Sequence, residues 1–180
     1  LPGPYGVTFS ILMLGALCAT VLGVIALARA LDMDERRQTV AGLLVAVSPL
    51  LIGNLVETRF DLALSALLVW TVWAAVTERW RLAWGLLACA TLLKLVPLAL
   101  IPVLVIWQRH RAGGRRAWAG LAGSLAVVAA GIVPFAVLSP SGTWDLARYH
   151  LDRPSQIEAL GSAYLLGMHA LAGISITVEN

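Results

Sequence analysis

Apolar runs of about 20 residues recur along this 180-residue chain, the length an α-helix needs to cross the hydrocarbon core of a bilayer. Four stretches come close, at residues 7–31, 40–56, 60–77 and 117–138. Only 13% of the residues are charged and 59% are hydrophobic, with a mean hydropathy of +0.84, whereas soluble domains carry about a quarter charged residues. These figures exclude a water-soluble fold and predict an all-α, polytopic transmembrane helical bundle. A further helix is expected at 159–174 and a polar loop at 139–158, all within a single membrane domain over residues 1–180. The chain opens on LPGPYG, with neither an initiating Met nor the basic start of a signal peptide, and stops soon after an apolar stretch. Both natural termini are therefore expected to lie outside it.

A fifth apolar segment, residues 82–107, is long enough for one tilted span, yet Lys94 sits at its midpoint with Pro97 and Pro102 beyond. A bare ammonium at mid-bilayer costs at least about 2.5 to 3.5 kcal/mol, and proline breaks the helix ladder. Lys94 is also about 12 residues, or roughly 18 Å of helix, from either end, too deep for easy snorkelling. Two short helices, at about 82–93 and 95–107, meeting as a broken-helix hairpin at KLVP, avoid both penalties.

Counting Lys and Arg favours the hairpin, because cytoplasmic loops are the basic ones. With a hairpin, one face holds nine cations (Arg29, Arg36, Arg37, Arg79, Arg81, Arg109, Arg111, Arg115, Arg116) and the other four (Arg59, Lys94, Arg148, Arg153). With a single span the division falls to seven against five and strands Lys94. The nine-charge face, carrying RALDMDERRQT, ERWR and QRHRAGGRR, reads as cytoplasmic and as facing anionic lipid. Clusters of this kind between apolar runs also explain the net charge of +3 without nucleic acid as a partner. Trp70, Trp73, Trp80, Trp84, Trp107 and Trp118 lie near the proposed helix ends, where an indole keeps its ring apolar and its N–H wet.

The opposite face gathers NLVETRFD, the KLVP apex and SPSGTWDLARYHLDRPSQIEALGS, and so nearly all of the mixed acid, base and amide groups. In ETRFD, Glu57 and Asp61 share a helix face. Asp61 can simply complement a helix N-terminus with Arg59 at the interface, or Arg59 can grip an anion while a carboxylate orients a hydroxyl. Lys94 at a hairpin apex would face a water-filled cavity, where a phosphate or diphosphate is the natural partner of a compact point charge. The stretch from Asp145 to Glu158 mixes Tyr149, His150, Arg153, Gln156 and Glu158, which an ordinary hydrated loop would also explain, but which suits sugar binding.

Other signals lead nowhere chemical. Asp32 and Asp34 form a DxD among cytoplasmic Arg residues, a two-residue pattern that chance supplies. His110, His150 and His169 have no metal-ligand spacing, and Cys18 and Cys89 lie inside apolar runs away from any paired spacing. No metal or cofactor is required by anything in the sequence. Gly120 with Ser124 is a small-xxx-small pair of the kind that packs helices.

The run TRFDLALSALLVWTVWAAVTERWRLAWGLLACATLLKLVPLALIPVLVIWQRHR resembles the central part of glycosyltransferase family 87, in which an R-F-D-like helix start is followed by a lysine-and-proline hairpin and a basic loop. The later RYHLDRPSQIEALGSAY is similar to a stretch of its actinobacterial members, and together the likeness covers residues 57–164. It implies an integral-membrane transferase of the GT-C type in the cell membrane. Such an enzyme moves a hexose, mannose foremost, from a polyprenyl-phosphate donor to a glycolipid or glycan acceptor on the extracytoplasmic side. By position it assigns Arg59, Lys94, Arg153 and Gln156 to substrate binding, and Asp61, His150 and Glu158 to placing acceptor hydroxyls. The main base is implied in the family's first extracytoplasmic loop, upstream of these residues. Glu57 stands where many relatives have a small or amide residue. A multi-pass transporter or lipid flippase, which also uses broken helices with midplane charges, and a non-catalytic envelope-assembly subunit are the competing readings.

Overall fold

The structure is a computed structural model and describes residues 4–52, 60–152 and 168. Among the described residues it is built of seven α-helices and one 3-10 turn, with no strand. They are α1 Pro4–Ala30, α2 Glu35–Ile52, α3 Asp61–Val76, α4 Trp80–Leu93, the turn Val96–Leu100, α5 Ile101–Ala112, α6 Gly114–Leu138 and α7 Pro140–Asp152. The chain divides into two compact units, Leu1–Pro134 and Phe135–Asn180. The expected helix at 159–174 lies outside the described residues, apart from Met168, which is helical.

This is an all-α membrane protein. Gly6–Ala30 and Gly114–Leu138 are long and apolar enough to cross a bilayer, and Asp61–Val76 and Trp80–Leu93 are shorter apolar helices. Their outward faces, with those of α2, leave Val7, Ile11, Leu44, Leu50, Phe135 and Leu138 exposed, an exterior suited to lipid rather than water. Hydroxyls on these helices fold back onto their own backbone, as a medium without water demands. Thr71 donates to the Leu67 carbonyl at 2.7 Å and Thr91 to that of Leu87 at 2.8 Å. In α2, Pro49 lacks the N–H that would bond the Val45 carbonyl, and Ser48 Oγ donates to that oxygen at 2.8 Å in its place.

Helix ends follow local chemistry. α2 starts at Glu35, five residues before the apolar run, because the Asp34 carboxylate accepts the backbone N–H of Arg37 at 2.8 Å and so caps the first turn. α1 and α3 both close with a residue in the left-handed region, Asp32 at φ 53° and Glu78 at φ 57°. The following residues bond backwards, Met33 N–H to the Ala28 carbonyl at 3.0 Å and Arg79 N–H to that of Ala74 at 2.7 Å. Both acids of the DxD thus have structural work.

α1 and α3 lie side by side and run parallel, with α2 returning between them along the chain. Phe9 meets Phe60 edge to face at 5.2 Å between ring centroids, the Trp70 indole donates to the Ala19 carbonyl at 3.0 Å, and Gly23 lies against Val69 and Trp70. α3 packs in turn on α4, and small side chains permit the approach. The core of this unit is Ala74, Ala75, Ala83, Trp84, Leu87, Leu104 and Val105.

Residues 82–107 form the broken-helix hairpin that the charge count favours. Trp80 at the start of α4 meets Trp107 near the end of α5, with ring centroids 6.1 Å apart, so the two helices fold back on each other. Arg111 lies 3.8 Å from Glu78 and brings QRHRAGGRR beside ERWR at one end of the unit. Pro97 and Pro102 fall in the first turns of the 3-10 segment and of α5, where a missing N–H costs nothing. α6 then runs parallel to α4, since Gly120 lies against Trp84 and Gly131 against Leu92.

The structure corrects the sequence reading at two stretches: the helix expected at 95–107 is the 3-10 turn Val96–Leu100 followed by α5, and the second lies further along the chain. The stretch expected as a polar loop at 139–158 holds α7 over Pro140–Asp152. Pro140 starts it with a preset φ, and both the N–H and the hydroxyl of Thr143 bond the Ser139 carbonyl at 3.0 Å. Hydrophilic composition describes where a segment sits and not whether its backbone is helical.

Candidate functional site

At the end of the first unit away from the arginine-rich turns, two ionised side chains meet. Asp61 stands in the first turn of α3, where the helix dipole favours a negative charge. Lys94 ends α4 in an extended conformation, φ −150° and ψ 149°, while its backbone N–H still bonds the Ala90 carbonyl at 3.0 Å. That break turns the side chain out of the α4 barrel, and Lys94 Nζ both hydrogen-bonds and ion-pairs with Asp61 Oδ1. The side chains keep 39% and 50% of their exposure, so the pair is open on one side.

An ammonium has three donors, and Asp61 engages one of them. Among the described residues the other two have no partner, and an anionic oxygen competes best for a charged donor. Asp61 in turn fixes where the ammonium sits. The pair is therefore a one-sided, pre-oriented cation held at a break in a membrane helix, an arrangement expected at substrate sites and costly elsewhere.

Of the residues singled out from the sequence, the structure brings together Asp61 and Lys94. Arg59, Arg153, Gln156 and Glu158, with Glu57, lie outside the described residues. His150 belongs to the last turn of α7 in the second unit, and its side chain is outside the described part. Sequence reasoning gave Lys94 a phosphate and Asp61 a hydroxyl but did not pair them with each other. The available signal was their opposite charge on the same face, one at the start of an apolar run and the other at the break in the next.

The opposite end is built differently. Arg79 lies over the Trp73 ring with its guanidinium carbon 4.8 Å from the centroid, and Trp73 stacks edge to face on Trp70. The expectation of wet indole N–H groups fails for two of the six tryptophans. Trp84 is buried and donates to Gln108 Oε1 at 2.7 Å, while Trp70 donates to the Ala19 carbonyl. Gln108 was missed because it heads the charged string QRHRAGGRR, which reads as surface. A cavity of about 710 Å³ opens at this end beside Arg79, Trp80 and Gln108. Among the described residues no group of three His, Cys, Asp or Glu side chains could hold a metal ion, and both cysteines are free.

A family model described as glycosyltransferase family 87 matches residues 1–175, nearly the entire chain. No curated protein and no solved structure matches it.

Proposed function

Because the chain belongs to glycosyltransferase family 87 and is thereby a membrane glycosyltransferase, we propose that it transfers a hexose, mannose, from a polyprenyl-phosphate donor to a glycolipid or glycan acceptor on the extracytoplasmic side of the cell membrane. The observation that carries this reading is the Lys94–Asp61 pair at the apex of the membrane hairpin, at the end remote from the nine basic residues. Positive charge concentrates on cytoplasmic loops, so the remote end is extracytoplasmic. A membrane-embedded donor presents its phosphate at that level, and a half-exposed ammonium engaged by one carboxylate among the described residues suits it.

In the proposed reaction the bond between the anomeric carbon and the donor's phosphate oxygen breaks as an acceptor hydroxyl oxygen bonds to that carbon. The electron pair goes to the departing polyprenyl phosphate, and the hydroxyl proton to a carboxylate base in the family's first extracytoplasmic loop. Negative charge on the phosphate grows toward the transition state, so a cation fixed beforehand stabilises it more than the ground state. Lys94 supplies that cation and Asp61 positions it, with Arg59 and Arg153 as further phosphate ligands. Gln156 would hold the sugar, and His150 and Glu158 the acceptor hydroxyls.

The test uses full-length protein reconstituted with radiolabelled polyprenyl-phosphomannose and a glycolipid acceptor. Labelled glycolipid should form, and Lys94→Ala should lower transfer by about a hundredfold or more, the usual effect of removing a charge-stabilising donor. Undiminished transfer by Lys94→Ala would remove that residue from the site. Absence of transfer from any polyprenyl-phosphate sugar by the wild-type protein would refute the donor class.

A further inference from the structure

We infer that the arginine-rich end carries a second binding site, for a phosphate anion, in the cavity of about 710 Å³ between the starts of α4 and α6 and the end of α5. Its volume is that of an ordinary small-ligand site. Three arginines line it, Arg79, Arg81 and Arg116. Among the described residues none of the three has an acidic partner, and Arg79 is steadied by the Trp73 ring. The one carboxylate in the lining, Glu78, is engaged by Arg111 at 3.8 Å.

The interior wall supplies neutral donors aimed the same way. Gln108 is 3% exposed, and its Oε1 accepts the Trp84 indole N–H at 2.7 Å. An indole only donates, so the amide oxygen must face it, and the NH2 of Gln108, a lining residue of the cavity, is left out of that bond. Among the described residues that NH2 has no hydrogen-bond partner. No buried side-chain nitrogen or oxygen lacks a partner among the described residues, so this NH2 reaches the open part of the cavity, where an incoming acceptor can take it from water. α4 starts at the cavity without a side-chain cap, so the first N–H groups of this 14-residue helix, from Trp80 onward, add their dipole to the same point.

Cations, an amide NH2 and a helix N-terminus converge, and all of them donate. Phosphate oxygens, with charge and several acceptor sites, answer that set better than a carboxylate or a neutral ligand. Two sources carry the group: the headgroup of an anionic phospholipid in the adjoining leaflet, with the half-buried Trp80 ring beside its glycerol region, or free phosphate in the aqueous phase. The inference does not rest on the donor reading of Lys94, which lies at the other end of the hairpin.

The experiment measures binding to the full-length protein in detergent by native mass spectrometry, with phosphatidylglycerol, phosphatidylcholine and inorganic phosphate as separate probes. Arg81→Ala/Arg116→Ala is compared with Arg36→Ala/Arg37→Ala, which removes the same charge from the same end but outside the cavity. All four arginines are exposed, so both variants should fold. Phosphatidylglycerol should bind well above phosphatidylcholine, and the cavity variant alone should weaken it at least tenfold. Retention of that binding in excess inorganic phosphate identifies the lipid as the source; displacement, with direct phosphate binding, identifies the soluble ion. Equal losses in the two variants, or equal binding of both lipids with no phosphate binding, would overturn the site.

Discussion

Trp84 donates its indole N–H to Gln108 Oε1 at 2.7 Å inside the hairpin, while the opposite edge of the unit presses Gly120 against the same indole. One side chain thereby locks α4 to α5 by a hydrogen bond and to α6 by shape. Replacing Gln108 with Leu leaves a buried donor without a partner, which costs about 1–3 kcal/mol. The double variant Trp84→Phe/Gln108→Leu removes both polar groups and should lose less than the two single losses summed. Unfolding of the reconstituted protein, followed as a double-mutant cycle, measures the coupling.

Gly120 and Gly123 offer a matched comparison on one helix. A Cβ at Gly120 overlaps the Trp84 indole, whereas one at Gly123 meets nothing within 4 Å. Gly120→Ala should destabilise by about 1–3 kcal/mol through overpacking. Gly123→Ala should be neutral or slightly stabilising, since alanine is the better helix former. Thermal unfolding in nanodiscs distinguishes them.

Ser48 covers the carbonyl that Pro49 orphans. Ser48→Ala therefore exposes the Val45 oxygen to hydrocarbon, with an expected cost of about 0.6 to 1.7 kcal/mol, the range for side-chain hydrogen bonds within bilayers. Introducing Pro49→Ala in addition restores the backbone bond, so the double variant should regain the loss. If Ser48→Ala alone leaves the melting temperature unchanged, the hydroxyl has no compensating role.

Asp61→Asn keeps the shape of the ion pair and removes its charge. With Lys94 positioned by Asp61, the variant should retain donor transfer but with kcat/KM lowered about tenfold, near 1.4 kcal/mol. Lys94→Ala/Asp61→Asn should be no worse than Lys94→Ala alone, because a positioning residue has nothing left to position. Additive losses would instead assign Asp61 its own contact with the acceptor.

The hairpin was legible in the sequence because lipid tolerates neither a midpoint lysine nor two prolines in a straight rod, and the arginine count then chose between two topologies. Helix starts and stops were less so: Asp34 extends α2 by five residues through a cap that an apolar-run reading ignores. The Lys94–Asp61 contact joins residues 33 apart in sequence, and depends on how α3 and α4 cross. No periodicity in either helix carries that information. The same holds for Gln108, whose burial is decided by the Trp84 face of a neighbouring helix and not by the charged string around it.

The helices that hold Asp61 and Lys94 are short. At 16 and 14 residues α3 and α4 rise about 24 and 21 Å, against a hydrocarbon slab of about 30 Å, while α1 with 27 residues rises about 40 Å. A protein with tall posts beside a low step cannot meet a flat bilayer everywhere. Local thinning of the leaflet over the step is one way to match it, and it would bring the phosphate layer toward Lys94. If Lys94 receives the donor phosphate as proposed, acyl-chain length becomes a setting of the enzyme, and transfer should be faster in thin membranes than in thick ones.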